Sequence, residues 1–512
     1  MKSNSSELKT GAFLSYIQMG LSILIGLFYT PVMIKLLGQN EYGLYNTVAS
    51  TVAMLSALSL GFNSGYIKFF SGYKKNNDDE SIYKLNGLFL VVFLIIGITA
   101  FVCGLFLIQN LRLVFDNGLT EDEYIIAKKL MLFLTVQLSL TFPLSVFSDI
   151  ITAHEKFVFI KAVNIVSLIL NPFVTLPLLL MGFKSMAVVS VGLGMSILVG
   201  ALNIYYVFVK LKQKFCFNSL DYKVFKELFG YTFFIAINIV IDQINWKVDN
   251  VLLGRFCGTA SVAVYSVGST LNSYFIMFST AISSVFTTRI HYIVAECKNK
   301  SNTLSHKFSE LFIKVGRIQF IVLGLIGSGV VFFGKPFIGF WVGEDYENSY
   351  WIGVILIVSV LTPLIQNIGI EMQRALNKHR FRSLLYFGMA LVNVLITVIL
   401  SKKFGGIGAA TGTAISLIIA NGLVMNIYYY KKCGLDVPQF WKSILKMSLG
   451  LVAPVAFAIT LNRFVDFDTI LKLCFGIICY TVIYSGSMWI ISMNDYEKDL
   501  IKSTVRKLRA KV

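Results

Sequence analysis

Apolar runs of about 20 residues or more recur from one end of this chain to the other, each long enough to cross the hydrocarbon of a bilayer as a helix. They fall at 11–36, 42–70, 85–110, 125–153, 157–181, 186–210, 226–254, 259–288, 307–334, 350–376, 381–402, 408–431, 442–462 and 469–493. Inside hydrocarbon, backbone groups are satisfied only within a helix or a closed barrel. Runs of this length are helical, so the expected fold is an all-α polytopic membrane protein with about 14 transmembrane helices. Composition agrees: 56% of the 512 residues are hydrophobic and only 14% are charged. The first run is too long for a signal sequence and lacks a small-residue cleavage site, so it is expected to be a retained helix.

The net charge of +18 does not point to nucleic acid, because the basic residues sit in short clusters between the apolar runs. An even helix number puts both termini on one side. With the N-terminus inside, about 33 of the 45 Lys and Arg lie near cytoplasmic helix ends and about 11 lie outside. Ser71–Lys84 and Tyr292–Lys307 are then inside loops, and the acidic Gly343–Glu347 is outside. No loop is long enough for a separate soluble domain. The seven cysteines, several in apolar runs (Cys103, Cys474, Cys479), show no metal or disulfide spacing and read as free thiols.

The chain also repeats itself. Leu36-Leu37-Gly38 followed by Tyr45 is answered by Leu252-Leu253-Gly254 followed by Tyr265. Pro143-Leu144 matches Pro363-Leu364, and His154-Glu155-Lys156-Phe157 sits where Lys378-His379-Arg380-Phe381 sits in the second half. Asn203-Ile204-Tyr205-Tyr206 recurs letter for letter as Asn426-Ile427-Tyr428-Tyr429. A unit of six helices returns the chain to the same side, so the halves are expected to be parallel copies. The expected division is 1–221 (helices one to six), 222–440 (helices seven to twelve) and 441–512 (two further helices and a cytoplasmic tail). Two such lobes suit alternating access around a cleft, although a duplicated scaffold would repeat in the same way.

Leu36-Leu37-Gly38-Gln39-Asn40-Glu41-Tyr42-Gly43-Leu44-Tyr45, preceded by Tyr29-Thr30-Pro31, resembles the first helix pair of the Wzx-type polysaccharide-biosynthesis flippases. Asp249-Asn250-Val251-Leu252-Leu253-Gly254-Arg255, followed by Tyr265-Ser266, is similar to that family's passage from helix seven to helix eight. The resemblance covers the whole chain in helix count, loop lengths and repeat. It implies the fold of the multidrug/oligosaccharidyl-lipid/polysaccharide exporter superfamily. The implied activity is transfer of undecaprenyl-diphosphate-linked oligosaccharide to the outer leaflet of the bacterial cytoplasmic (inner) membrane, for O-antigen or capsule assembly. The implied partners are that lipid-linked substrate, membrane lipids, and the polysaccharide polymerase with its chain-length machinery. No cofactor is expected beyond proton or Na+ coupling.

Charge inside a spanning helix is expensive and usually functional, which singles out helix seven. Asn238, Asp242, Asn245 and Asp249 form one polar stripe there, while Gln243 and Lys247 point to nearly the opposite side. One stripe should face the cleft and the other its own lobe; the spacing does not choose between them. Asn245, Asp249 and Lys247 are candidates for substrate binding, with interhelical hydrogen bonding as the other reading of the stripe. In helix ten, Asn367, Glu371, Arg374 and Lys378 share a face, with Glu371 and Arg374 close enough to pair. Asp149 occupies the related region of helix four. Glu371, Asp149 and Asp242 are candidate ion-coupling carboxylates, or charge-paired structural acids.

Arg289, Arg374 and Lys68 could meet an anionic diphosphate entering from the cytoplasmic leaflet, or serve as positive-inside anchors. The hydroxyls of helix eight (Ser266, Ser269, Thr270, Ser273, Ser279, Thr280, Ser283, Ser284, Thr287 and Thr288) could bind sugars or allow close packing. Enzyme readings fare badly, with no phosphate loop, no nucleophile elbow and no metal-ligand cluster. A drug/cation exporter of the same superfamily should carry acidic residues in its first lobe, and helix one has no carboxylate. A lipid II flippase should, by resemblance, carry arginines there, and helices one and two have none.

Overall fold

The computed structural model describes residues 2–116, 118–217, 222–297, 301–376, 378 and 380–509. Helix follows helix: α1 (Lys2–Leu37), α2 (Gln39–Lys75), α3 (Asp79–Gln109), α4 (Glu121–Ala153), α5 (Phe157–Leu180), α6 (Lys184–Lys210), α7 (Tyr222–Phe256) and α8 (Gly258–Glu296). Then come α9 (Ser301–Val342), α10 (Glu344–Ile365), α11 (Ile368–Ala375), α12 (Arg380–Cys433), α13 (Val437–Phe464), α14 (Ile470–Ser492) and α15 (Asp495–Arg509). No strand occurs among the described residues. Eleven of their helices are long and apolar enough to cross a membrane. Phe28, Phe173, Leu180, Phe464, Leu471 and Ile490 stand more than 70% exposed, a surface suited to lipid rather than water. The protein is an all-α multi-pass membrane protein.

The helix ends follow local chemistry. Asp78 accepts from Ser81 N at the start of α3, and Thr120 with Glu123 forms a capping box at the start of α4. Several expected helices are interrupted. The run 42–70 breaks at Leu60 and Gly61, both at positive φ, where an apolar sequence gives no warning. The run 350–376 breaks between Ile365 and Ile368, and α11 restarts after it. Within α12, Gly405 (φ 57°, ψ −135°) folds the chain back. A Cβ on Gly408 would lie 2.2 Å from the Leu400 carbonyl oxygen, so 380–404 and 406–433 are two arms of a tight hairpin.

The chain forms two compact units. One comprises Met1–Ser266 with Ala390–Ala409; the other comprises Val267–Met389 with Ala410–Val512. These units divide the chain differently from its sequence repeat, whose boundary at 221 lies outside the described residues. α7 belongs to the first unit because it seats on α2: Gly65 of α2 lies under Leu228, Gly254 of α7 under Thr47, and Asn250 Nδ2 donates to Ser50 Oγ at 2.8 Å. The first unit holds two apolar cores along α2, α3 and α4. One gathers Phe62, Tyr66, Phe89, Phe142 and Phe147, the other Leu44, Val48, Phe115, Leu130 and Met131.

Each unit stacks a phenylalanine at or near the matched Phe157 and Phe381 on one tyrosine of the repeated Asn-Ile-Tyr-Tyr, although not at matched positions. In the first, Phe159 stacks on Tyr206 (3.9 Å, 20°), tying the start of α5 to the end of α6. In the second, Phe381 stacks on Tyr428 (4.4 Å, 11°), tying the two ends of α12. The duplicated Leu-Leu-Gly is less symmetric. Gly38 makes the turn between α1 and α2 at φ 78°, whereas Gly254 stays helical and Gly258, at φ 79°, makes the turn into α8.

Candidate functional site

Burial splits the polar stripe of α7. Asn245 and Asp249 are 8% and 1% exposed, while Asn238 and Asp242 are exposed. Asp249 is enclosed by donors: the Tyr265 hydroxyl from α8 and Thr397 Oγ1, at 3.5 Å, from the first arm of α12. On the opposite side, Gln243 and Lys247 are half-buried. Gln243 Oε1 meets no donor, and no described residue gives the Lys247 ammonium a hydrogen bond or an ion pair. A cation drawn out of water without a partner carries an uncompensated desolvation penalty. The two faces of α7 therefore differ in kind: one holds Asp249 between two donors, and the other leaves Gln243 Oε1 and the Lys247 ammonium without a bond from any described residue.

At one end of the first unit, α2 meets the first turn of α8 backbone to backbone. A Cβ on Gly43 would lie 1.8 Å from the Thr259 carbonyl oxygen, and one on Gly118 would lie 2.1 Å from that of Gly254. Thr259 Oγ1 donates to Glu123 Oε1 at 2.7 Å. Glu41 accepts from Ser185 N (2.9 Å) and Ser185 Oγ (2.6 Å) and pairs with Lys184 at 3.3 Å. A cavity of about 480 Å³ with a mixed polar and apolar lining opens here, bounded among others by Gly38, Asn40, Glu41, Leu44, Glu123 and Lys184. Sequence reasoning singled out neither Glu41 nor Glu123 as functional, although Thr120-x-x-Glu123 is a legible cap.

At the other end, Asp149 accepts from Asn63 Nδ2 at 2.7 Å, and Lys68 is exposed with its ammonium 6.0 Å from the Phe69 ring centre. The segment after α6 is stitched down beside them. Cys216 N donates to Tyr83 O (3.0 Å) and Asn86 Nδ2 to Lys214 O (3.1 Å), while Asn86 Oδ1 accepts from Tyr66 (2.7 Å).

In the second unit, the hydroxyls of α8 mostly bond their own helix. Ser273 donates to Ser269 O, Thr280 to Ile276 O and Met277 O, Ser283 to Thr280 O, and Ser284 to Ala281 O. Two tie α8 to other elements: Ser279 Oγ donates to Gln319 Oε1 (2.8 Å), and Ser283 Oγ accepts from Asn367 Nδ2 (3.2 Å). Arg289 is exposed. Arg374 Nη1 pairs with Glu371 Oε1 at 2.7 Å, with the arginine side chain 63% and the glutamate 26% exposed. Lys378 does not continue their helical face, because α11 ends at Ala375; its ammonium donates instead to the Lys432 carbonyl. His379 lies outside the described residues. A separate cleft of about 310 Å³, lined by Leu325, Gly329, Phe333, Phe337, Ile477 and Tyr480 among others, is apolar and suits hydrocarbon rather than sugar. Among the described residues, no three His, Cys, Asp or Glu come together as a metal site would require.

Comparison with known proteins matches residues 8–288 to a family described as "Polysaccharide biosynthesis protein". A "Putative O-antigen transporter" of Shigella flexneri is 23% identical over 78% of this chain and 91% of its own length. An "Uncharacterized membrane protein EpsK" of Bacillus subtilis is 21% identical over 87% of each chain. Among solved structures, the fold is similar to that of the lipid II flippase MurJ in an inward closed conformation (TM-score 0.69, 17% identity, 96% of this chain and 99% of that one). It is also similar to an inward-facing multidrug resistance transporter of the MATE family (TM-score 0.62, 13% identity, 84% and 99%). The Shigella relative and both solved structures carry the names of transporters or flippases, none that of an enzyme. The helical architecture extends the likeness in fold over nearly all of the chain, and the matched region is more than half of it, so the protein belongs to the polysaccharide biosynthesis protein family.

Proposed function

We infer that the protein moves a polyprenyl-diphosphate-linked oligosaccharide from the cytoplasmic to the outer leaflet of a bacterial inner membrane, with both of its own termini cytoplasmic. The observation that carries this reading is the Lys247 face of α7, where a half-buried cation and Gln243 Oε1 meet no bonding partner among the described residues. A diphosphate gives up much of its hydration on entering a protein, and a fixed cation with spare donors compensates for that loss. Asp249 then holds the helix in place rather than binds substrate. Arg289, Arg374 and Lys68 are exposed and suit first capture of the headgroup. Asp149 and Glu371 are the carboxylates best placed to couple transport to protons or Na+. The O-antigen transporter relative supports an oligosaccharide cargo for O-antigen or capsule.

Gene deletion tests the reading. It should abolish the mature surface polymer while lipid-linked repeat units accumulate on the inner side. Normal polymer with altered drug sensitivity would overturn it in favour of a cation exporter.

A further inference from the structure

We propose that α15 is an interfacial anchor that recognises anionic phospholipid headgroups on the cytoplasmic side of the membrane. The side rests on the orientation proposed above; the lipid contact itself rests on α15 and its supports. Only Met493 and Asn494 separate α15 from α14, the last apolar span, in whose last turn Ile490 and Ile491 are 77% and 53% exposed. Chain connectivity therefore sets its start at the level where hydrocarbon gives way to headgroups.

That start is fixed rigidly. Glu497 is 3% exposed and takes Arg317 of α9 in a two-pronged pair, Nε to Oε1 at 2.6 Å and Nη2 to Oε2 at 2.9 Å. Arg317 Nη2 also donates to the Ser492 carbonyl at 2.9 Å. Asn494 N donates to Glu497 Oε2 at 2.9 Å, and Glu497 N to Asn494 Oδ1 at 3.0 Å, closing a reciprocal cap. The Lys314 ammonium lies 3.5 Å from the centre of the Tyr496 ring.

Beyond this first turn the helix is two-sided. Leu500 and Ile501, on either flank of the Glu497 direction, are 43% and 40% exposed. Lys498, Lys502 and Arg506 follow at four-residue spacing on the far side, where Lys502 and Arg506 are exposed. From Lys502 to Arg509 the sequence holds four basic residues and no acid. Lys502 also reaches toward Trp489 in the last turn of α14, with 5.9 Å from ammonium to ring centre. An apolar edge beside a basic stripe, held level with the end of a span, matches helices that lie in the headgroup layer. The charge selects anionic lipid over zwitterionic.

The test uses the full chain in nanodiscs, in a cysteine-free background with single cysteines introduced as Ile501→Cys or Asp499→Cys and spin-labelled. Collision with oxygen reports hydrocarbon; collision with a water-soluble nickel complex reports water. In discs containing phosphatidylglycerol, the label at 501 should favour oxygen and the label at 499 nickel. In pure phosphatidylcholine, the nickel accessibility at 501 should rise severalfold. Lys498→Gln with Lys502→Gln and Arg506→Gln should give that higher value even with phosphatidylglycerol present, at unchanged thermal stability. Equal nickel access at 501 and 499, or shielding at 501 indifferent to lipid charge, would overturn the proposal. Both faces of a nanodisc are open to reagent, so the result stands apart from the orientation of the chain in the cell.

Discussion

Replacing Gly43 with alanine puts one methyl group into the crossing of α2 and α8. The new Cβ would lie 1.8 Å from the Thr259 carbonyl oxygen, 2.6 Å from its carbon and 3.2 Å from Ala263 N. Carbon to oxygen approach in tight helix crossings stops near 3.3 Å, so the backbones must part by about 1.5 Å. Both sides of the clash are main chain, and no rotamer change relieves it. The cost belongs at or above the upper end of the roughly 1–3 kcal/mol seen for overpacking. The per-residue unfolding entropy scaled to 512 residues gives about 1 °C per kcal/mol, so the loss is roughly 3 °C or more in Tm. Gly72→Ala is the internal control, since it lies on the same helix and its Cβ would meet nothing within 4 Å. Both variants, heated in detergent and followed by fluorescence-detected size exclusion, should separate clearly. Equal melting would refute the close crossing.

Three further outcomes follow from the same structure. In intact spheroplasts, an impermeant thiol reagent should label single cysteines within Glu344–Asn348 and not within Ser71–Lys84; the reverse pattern would invert the orientation. Lys247→Gln should lose most transport at unchanged protein level while Lys247→Arg keeps part of it, as read by complementation beside membrane protein quantity; full activity of Lys247→Gln with Arg289→Gln and Arg374→Gln would remove the cationic-site mechanism. Glu371→Gln should leave protein quantity unchanged, because an exposed pair such as Glu371–Arg374 contributes only about 0–1 kcal/mol; reduced transport at constant quantity would then assign Glu371 to coupling.

The helical class and most spans were legible because hydropathy reports directly on the solvent a helix must face. Breaks were legible only where chemistry marks them. Gly405-Gly406 sits between two apolar runs and reads as a turn, whereas Leu60-Gly61 lies inside one continuous run. The polar stripe of α7 was visible as spacing, yet spacing could not say that Asp249 is held by donors from other elements. That depends on Thr397, 148 residues from Asp249 along the chain. The Arg317–Glu497 pair spans 180 residues and leaves no local trace. Glu41 was quoted as part of a motif, but its grip on Ser185 follows from the closure of α2 on α6, which no window of sequence contains.

The hydroxyls of α8 have a mechanical consequence. Between Ser273 and Ser284, side chains compete with backbone amides for the carbonyls of Ser269, Ile276, Met277, Thr280 and Ala281. Each shared carbonyl weakens the ladder that resists bending, and serine and threonine bonded in this way curve a helix at small cost. α8 is thus a spring of graded stiffness, rigid where Gly43 grips its first turn and compliant through its middle.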